Sequence, residues 1–191
     1  MRLFIALNLP AELRARIADD VLTPLRAQLP GVRWVREETL HITLAFLGER
    51  GEAEAREAHA VVQEVAASHD PFRVSLTGLG VFPSPARPRV VCLGLADPAA
   101  VHELYRDLER ERARLGIPVE ERAYHPHVTL GRVPPHSGRE VRDTLAPALK
   151  AVQFEAPVTF SSLDLMRSEL TPKGPRYTVM LVAPLTRPED R

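Results

Sequence analysis

Apolar positions along this 191-residue chain follow two spacings. A period of two marks strands and a period near 3.6 marks helices with one buried face. Residues 2–9 read as a strand. Residues 11–29 carry Leu13, Ile17, Val21 and Leu25 at helical spacing, and Pro24 predicts a kink or break within them. A short strand at 32–35 is followed by a longer one at 40–47, closed by Gly48. Residues 52–67 place Ala55, Ala58, Val62 and Val65 on one side of a helix. Strands at 72–82 and 89–95 flank a proline-rich loop at 83–88. A helix over 99–115 is stopped by Gly116 and Pro118. A strand at 123–133, a helix from its N-cap Ser137 to residue 150, and strands at 154–160, 163–166 and 177–182 complete the chain.

Two of these strands hold the same tetrapeptide: His41-Ile42-Thr43-Leu44 and His127-Val128-Thr129-Leu130, 86 positions apart. Alternation turns Ile42 and Leu44, or Val128 and Leu130, toward a core and leaves an imidazole and a hydroxyl side by side on the other face. After each motif come a glycine, a helix and strands, a weak repeat of element order. The prediction is an α+β fold of two pseudo-symmetric lobes, mainly antiparallel sheet with helices on the outer faces. The lobes interleave within one domain over residues 1–191, each contributes one His-x-Thr strand, and a cleft lies between them.

The chemistry follows from residue type. An imidazole with an unperturbed pKa near 6.5 serves as acid or base at neutral pH. Two of them can activate water and protonate a leaving oxygen, each transfer contributing about 10²–10⁴-fold. Thr43 and Thr129, stiff at χ1, can donate to the oxygens of a phosphate. His125-Pro126-His127 supplies half of a metal site. No Asp, Glu or Cys cluster of ligand spacing accompanies it, so neither metal nor cofactor is expected.

Charge narrows the partners. Lys plus Arg and Asp plus Glu number 25 each, so no global basic field holds long duplex nucleic acid. Any contact with nucleic acid should be local. Cys92, the single cysteine, lies in an apolar run and reads as a small buried hydrophobe, which fits a reducing compartment. The N-terminal apolar run is too short for a signal-peptide core, and no stretch reaches the ~20 apolar residues of a spanning helix. A cytoplasmic location without membrane contact is expected.

The residues named so far resemble the two-histidine phosphoesterases. The closer likeness is to the bacterial and archaeal RNA 2′,3′-cyclic phosphodiesterases, historically called 2′–5′ RNA ligases. It extends from Arg2-Leu3-Phe4-Ile5-Ala6 through both motifs to Gly80-Val81-Phe82-Pro83-Ser84-Pro85, Pro88-Arg89-Val90, Ser168-Glu169-Leu170 and Gly174-Pro175-Arg176-Tyr177. The resemblance implies catalysis by His41 and His127 and phosphate binding by Thr43 and Thr129. It implies metal-free hydrolysis of a 2′,3′-cyclic phosphate at an RNA end to a 2′-phosphate by a monomer. His41 is assigned as the acid for the 3′ oxygen and His127 as the base for water. Reversal would join a 2′-phosphate end to a 5′-hydroxyl end, as the older family name implies; this is expected to be a minor activity.

Other positions keep two readings. Arg132 lies at an odd offset from His127, facing away on an ideal strand. The family often carries arginine there, and a bulge at Gly131 would turn it back toward phosphate. Phe46, also at an odd offset, reads as core, or as a base-stacking platform if its strand bulges. Arg89, Arg176 and Tyr177, with Arg87 and Lys173, could line an RNA channel. Trp34 reads as core, or as a stacking platform for a base, and His59, His69, His102 and His136 as solvated. A small cyclic ester (ADP-ribose 1″,2″-cyclic phosphate), a 2′–5′ linked oligonucleotide, or non-catalytic binding of RNA ends remain alternatives.

Overall fold

Residues 3–7 are all buried, a pattern that a strand covered on both faces carries. The computed structural model, which describes residues 1–118, 123–172 and 174–186, places this strand, β1 (Arg2–Asn8), between two others in an antiparallel sheet. The others are β2 (Arg33–Trp34), β3 (His41–Glu49), β4 (Phe72–Ser84), β5 (Arg87–Ala96), β6 (Val128–Arg132), β7 (Glu155–Phe160), β8 (Ser162–Thr171) and β9 (Gly174–Pro184). Among the described residues they form one nine-stranded sheet, ordered β7-β4-β5-β6-β3-β1-β8-β9, with β2 attached to β6.

The sheet has two four-stranded halves, which bears out the bilobal α+β expectation. They meet at β3–β6, where Ile42 and Val128 are in register. The second residues of the two tetrapeptides are thus paired across the junction of the two halves. The halves also exchange chain. β4 and β5 follow the first motif in sequence but lie beside the second, whereas β8 and β9 follow the second and lie beside β1.

Helices cover one face. α1 (Ala11–Ile17) and α2 (Thr23–Gln28) are joined by a π-helical turn at Ala18–Leu22. Pro24 has no N–H for the carbonyl four residues earlier, so the ladder widens there instead of breaking. α3 (Glu52–Ala66) packs on β8 and β9, α4 (Ala99–Arg110) on β3, and α6 (Gly138–Ala151) on β4 and β5. α5 (Arg112–Leu115) ends at Gly116, whose left-handed φ of 62° suits a residue without Cβ.

Leu3, Ile5, Leu7, Ile42 and Leu44 point into the helix-covered core, each such burial contributing about 1.5–3 kcal/mol. Phe4, Ala6 and Met166 form a separate cluster with Tyr177 on the opposite face. A cleft lined by Phe4 and Tyr177 opens on that face.

Several boundaries differ from the sequence reading. The loop expected at 83–88 is mostly strand, β4 and β5 forming a hairpin that turns at Pro85-Ala86. β8 and β9 likewise extend into a hairpin from Ser162–Pro184 to Thr171–Gly174. The second motif strand begins at Val128 and not at 123. Pro126 has no N–H to offer a ladder and restricts the residue before it. Lys173 lies outside the described residues.

Candidate active site

Both catalytic candidates are fixed in the same way. Nδ1 of His41 is 2.7 Å from the Thr39 carbonyl oxygen, and Nδ1 of His127 is 2.8 Å from that of His125. A carbonyl oxygen only accepts, so each Nδ1 carries a hydrogen and each Nε2 is left as the titrating atom. Both rings and both motif threonines line one cleft of about 1510 Å³.

Register determines how these groups face each other. One step on either side of the Ile42–Val128 pair sets His41 across from Thr129 and Thr43 across from His127. The two histidines are then diagonal neighbours, roughly 7–8 Å apart in ordinary sheet geometry, a gap that a tetrahedral phosphate fills. Thr43 Oγ1 is 2.9 Å from His41 Nε2. The Tyr124 hydroxyl donates to the Thr43 carbonyl at 2.9 Å, tying the approach to the second motif onto the first.

Each imidazole leans on an aromatic ring, Phe4 for His41 and Phe82 for His127, with centroids 5.1 Å apart in both cases. Tyr177 meets His41 edge-on at 5.3 Å. Burial pushes the His41 pKa below the ordinary imidazole value; the Thr39 hydrogen bond opposes this and the charge of His127 reinforces it. Burial also lowers His127, against its bond to His125 and with help from the charges of Arg132 and His125.

The same irregularity occurs in both motif strands. Ile5 pairs with Ala45 but Ala6 with Thr43, which leaves Leu44 as an extra residue in β3. Val91 pairs with Gly131 but Cys92 with Thr129, which leaves Leu130 extra in β6. A bulge reverses the parity of everything after it. Ala45 and Gly131 turn inward, while Phe46 and Arg132 turn to the histidine side. Arg132 therefore lines the cleft, as a bulge at Gly131 would require. Phe46 does too: it is 67% exposed, which overturns the core reading. Gly131 is required by packing, because a Cβ there would sit 2.7 Å from Val32 Cγ1 and 3.0 Å from the Trp34 ring. Trp34 is half-buried, packed against the core on one side and lining the cleft on the other.

Tyr177 is brought to the site, but Arg87, Arg89 and Arg176 are not. Arg89 is exposed on β5 beside Val90, which does line the cleft, so alternation aims Arg89 away. Arg176 is exposed and ion-paired to its register partner Glu169. The cleft's own cations include Arg2, Arg33 and Arg36, which sequence reasoning missed because an isolated arginine carries no periodic signal. His125 contributes its carbonyl to His127 and stacks its ring on Phe82 at 6.1 Å. Contrary to expectation, His69, in the turn after α3, is bonded to Asp107 of α4 at 2.9 Å, and α4 turns His102 edge-on against Tyr124. No three His, Cys, Asp or Glu side chains gather around a metal-sized space among the described residues, and no described helix is long and apolar enough to cross a membrane.

Comparison with known proteins agrees with this geometry. Residues 10–172 match the family model of the 2′-5′ RNA ligase superfamily. A Methanothermobacter thermautotrophicus protein named RNA 2′,3′-cyclic phosphodiesterase is 39% identical over 95% of this chain and 97% of its own. The crystal structure of TT0787 of Thermus thermophilus superposes with a TM-score of 0.79 at 33% identity, covering 98% of this chain and all of that one. Escherichia coli LigT complexed with 3′-AMP gives 0.74 at 28% identity over 97% of this chain and 98% of that one. The duplicated histidine motif thus sits in a fold, and over a length of sequence, that such proteins share, and this chain belongs to the 2′-5′ RNA ligase superfamily of two-histidine phosphoesterases.

Proposed function

We propose that this protein opens a 2′,3′-cyclic phosphate at the end of an RNA strand, leaving a 2′-phosphate, with His41 and His127 as the proton-transfer pair. The observation that supports this most is the twin imidazole geometry: two Nε2 atoms directed into one cleft, each ring locked by a backbone carbonyl. The names of its relatives point to the same reaction.

In the reaction one histidine, neutral, takes a proton from water as the water oxygen bonds to phosphorus. The bond from phosphorus to the 3′ oxygen breaks, and the other histidine, protonated, gives that oxygen its proton. We keep His127 as the base and His41 as the acid. Thr43 suits the second role. When His41 is neutral, the Thr43 hydroxyl donates to Nε2; when His41 is protonated, Nε2–H donates instead, freeing the hydroxyl hydrogen for a phosphate oxygen. Charging the acid thereby arms a donor where negative charge develops. A 5′-hydroxyl oxygen in place of water would give a 2′–5′ linkage, a minor ligation using the same groups. Both histidines come from one polypeptide, which suits a monomer.

The test is incubation of an oligonucleotide ending in a 2′,3′-cyclic phosphate with the protein in excess EDTA, with the product assigned by phosphorus NMR. A 2′-phosphate is expected. No opening, a 3′-phosphate, or loss of turnover on chelation would refute the proposal. A much faster reaction on ADP-ribose 1″,2″-cyclic phosphate would reassign the substrate.

A further inference from the structure

A buried carboxylate that the mechanism above does not use lies behind His41. Asp164, on β8, is 4% exposed. Its register partner on β1 is Ala6, whose partner on β3 is Thr43, so Asp164 belongs to the cleft side of the sheet. Asn8, the register partner of His41, stands diagonal to Asp164 and donates through Nδ2 to its Oδ2 at 2.7 Å. The same nitrogen meets Met166 Sδ at 3.2 Å, and the β9 neighbour of Asp164 is the apolar Val182. No cation pairs with Asp164 among the described residues. The Ser162 hydroxyl and Asn8 act to hold its carboxyl down, but burial outweighs them and raises it above the usual carboxylate range. Ser162 completes no hydrogen bond to Oδ1, which is buried without a partner. Ionising this carboxyl therefore costs the fold stability.

The second lobe lacks this arrangement. β5 and β4 stand to β6 as β1 and β8 stand to β3. The row Thr43, Ala6, Asp164 corresponds to the row Thr129, Cys92, Gly80. One step beyond the Leu93–Val128 pair sets Gly94 across from His127, where Asn8 stands across from His41. A Cβ at Gly94 would lie 3.1 Å from the Thr77 carbonyl oxygen, which leaves little room for a counterpart of Asn8. The carbonyl bonds at Nδ1 are alike in both rings and do not distinguish them. What stands behind the rings does: an amide and a carboxylate in one lobe, two glycines in the other.

We infer that Asp164, held in place by Asn8, is a positioning residue that keeps the proton on His41 and so makes this histidine the acid of the pair. The inference rests on the two-histidine reading above. Asp164 is two strands from His41, roughly 10 Å. A negative charge at that distance, at an effective dielectric constant of about 20 and with some screening, favours the imidazolium by about 0.5–1 pH unit. The other groups facing His41 do not supply this. Phe4 and Ala6 are apolar, and burial pushes the Tyr177 phenol further up, so it stays neutral. Across the cleft His127, with Arg132 beside it, acts against a proton on His41. Glu37 and Glu38, in the turn before β3, are exposed, and Glu38 is paired with Arg36. A buried charge that costs stability thereby breaks the near-symmetry of the site in favour of one proton-transfer order.

The experiment follows the ring-proton NMR signals of His41 and His127 against pH in the wild-type protein, Asp164→Asn and the control Asp19→Asn. Asparagine at 164 can still accept from Asn8 but carries no charge. Asp19 is an exposed carboxylate in the turn between α1 and α2. His41 should titrate about 0.5–1 pH unit lower in Asp164→Asn, His127 no lower than in wild type, and both should hold in Asp19→Asn. An unmoved His41, or an equal fall in both rings, would overturn the inference. The alkaline limb of kcat/KM for a 2′,3′-cyclic phosphate should move down by the same interval in Asp164→Asn, with the acid limb in place. An unmoved limb, or a uniform loss at every pH as simple misplacement of His41 would give, would also overturn it. Loss of an uncompensated buried charge should leave the melting temperature of Asp164→Asn no lower than wild type; a fall, misfolding included, would remove the premise. If the wild-type protein opens no cyclic phosphate, the functional reading fails by itself, and the NMR titration still judges the link between Asp164 and His41.

Discussion

Replacing Gly131 by alanine tests the link from local packing to the cleft. The added Cβ would meet Val32 Cγ1 at 2.7 Å, the Trp34 ring at 3.0 Å and the Arg33 carbonyl at 3.3 Å. Val32 is buried, so it cannot give way outward. The Trp34 ring is held by its indole N–H, 3.4 Å from the Leu29 carbonyl. Overpacking of this kind costs about 1–3 kcal/mol, and in a chain of this length each kcal/mol lowers Tm by about 2–4 °C. Relief requires β2 to lift from β6, which carries Arg33 and Arg132 apart. Gly131→Ala should therefore melt about 2–12 °C lower. Gly80→Ala is the control, because its Cβ would meet only Cys92 Sγ at 3.8 Å; there the melting temperature should hold or rise slightly. Calorimetric melting of both variants decides. Equal stability of Gly131→Ala and Gly80→Ala would refute the claim that the bulge is packed against β2.

Other outcomes follow from the same geometry. Thr43→Val and Thr129→Val keep side-chain shape and remove a donor, so kcat should drop about 10²-fold in each with little change in Tm; undiminished turnover would remove the threonines from the site. Both histidine pKa values are lowered, so raising pH strips the acid early while the base stays ready. The bell of kcat/KM against pH should accordingly peak on the acid side of about 6.5, its limbs belonging to the coupled pair; a plateau reaching above about pH 8 would contradict this. Phe46→Ala should leave stability within about 0.5 kcal/mol of wild type, as for an exposed residue, and raise KM for the RNA end; a large loss of stability would return Phe46 to the core. Burial pushes the Cys92 thiol up to about 11, so iodoacetamide at about pH 8 should leave it unmodified in the folded protein and label it rapidly after denaturation.

The parts of the fold and site that regular periodicity governs were readable in the sequence. The faces of Ile42, Leu44, Val128 and Leu130 followed from strict alternation, as did the placement of His41 with Thr43 and of His127 with Thr129. Alternation fails where a strand bulges, and so it puts Phe46 in the core although the residue is exposed. Its counterpart Arg132 was rescued because glycine hinted at irregularity, whereas Ala45 in the first motif gave no such hint. The pairing partners of β4 and β8 were also hidden, because a repeat of element order does not say which lobe a strand joins. The proline- and glycine-rich neighbours of Arg89 and Arg176 suggest RNA contacts, yet strand parity and Glu169 direct these side chains elsewhere. Arg33 stands on a two-residue strand that no periodicity can reveal.

Single-turnover opening of a 2′,3′-cyclic phosphate by His41→Ala, His127→Ala and the double variant tests the central claim most directly. Two groups acting on one phosphorus in one step make each single loss about as severe as both together, at least about 10²-fold, with the double variant little worse. Near wild-type rates in either single variant, or losses that multiply as independent effects, would contradict the account.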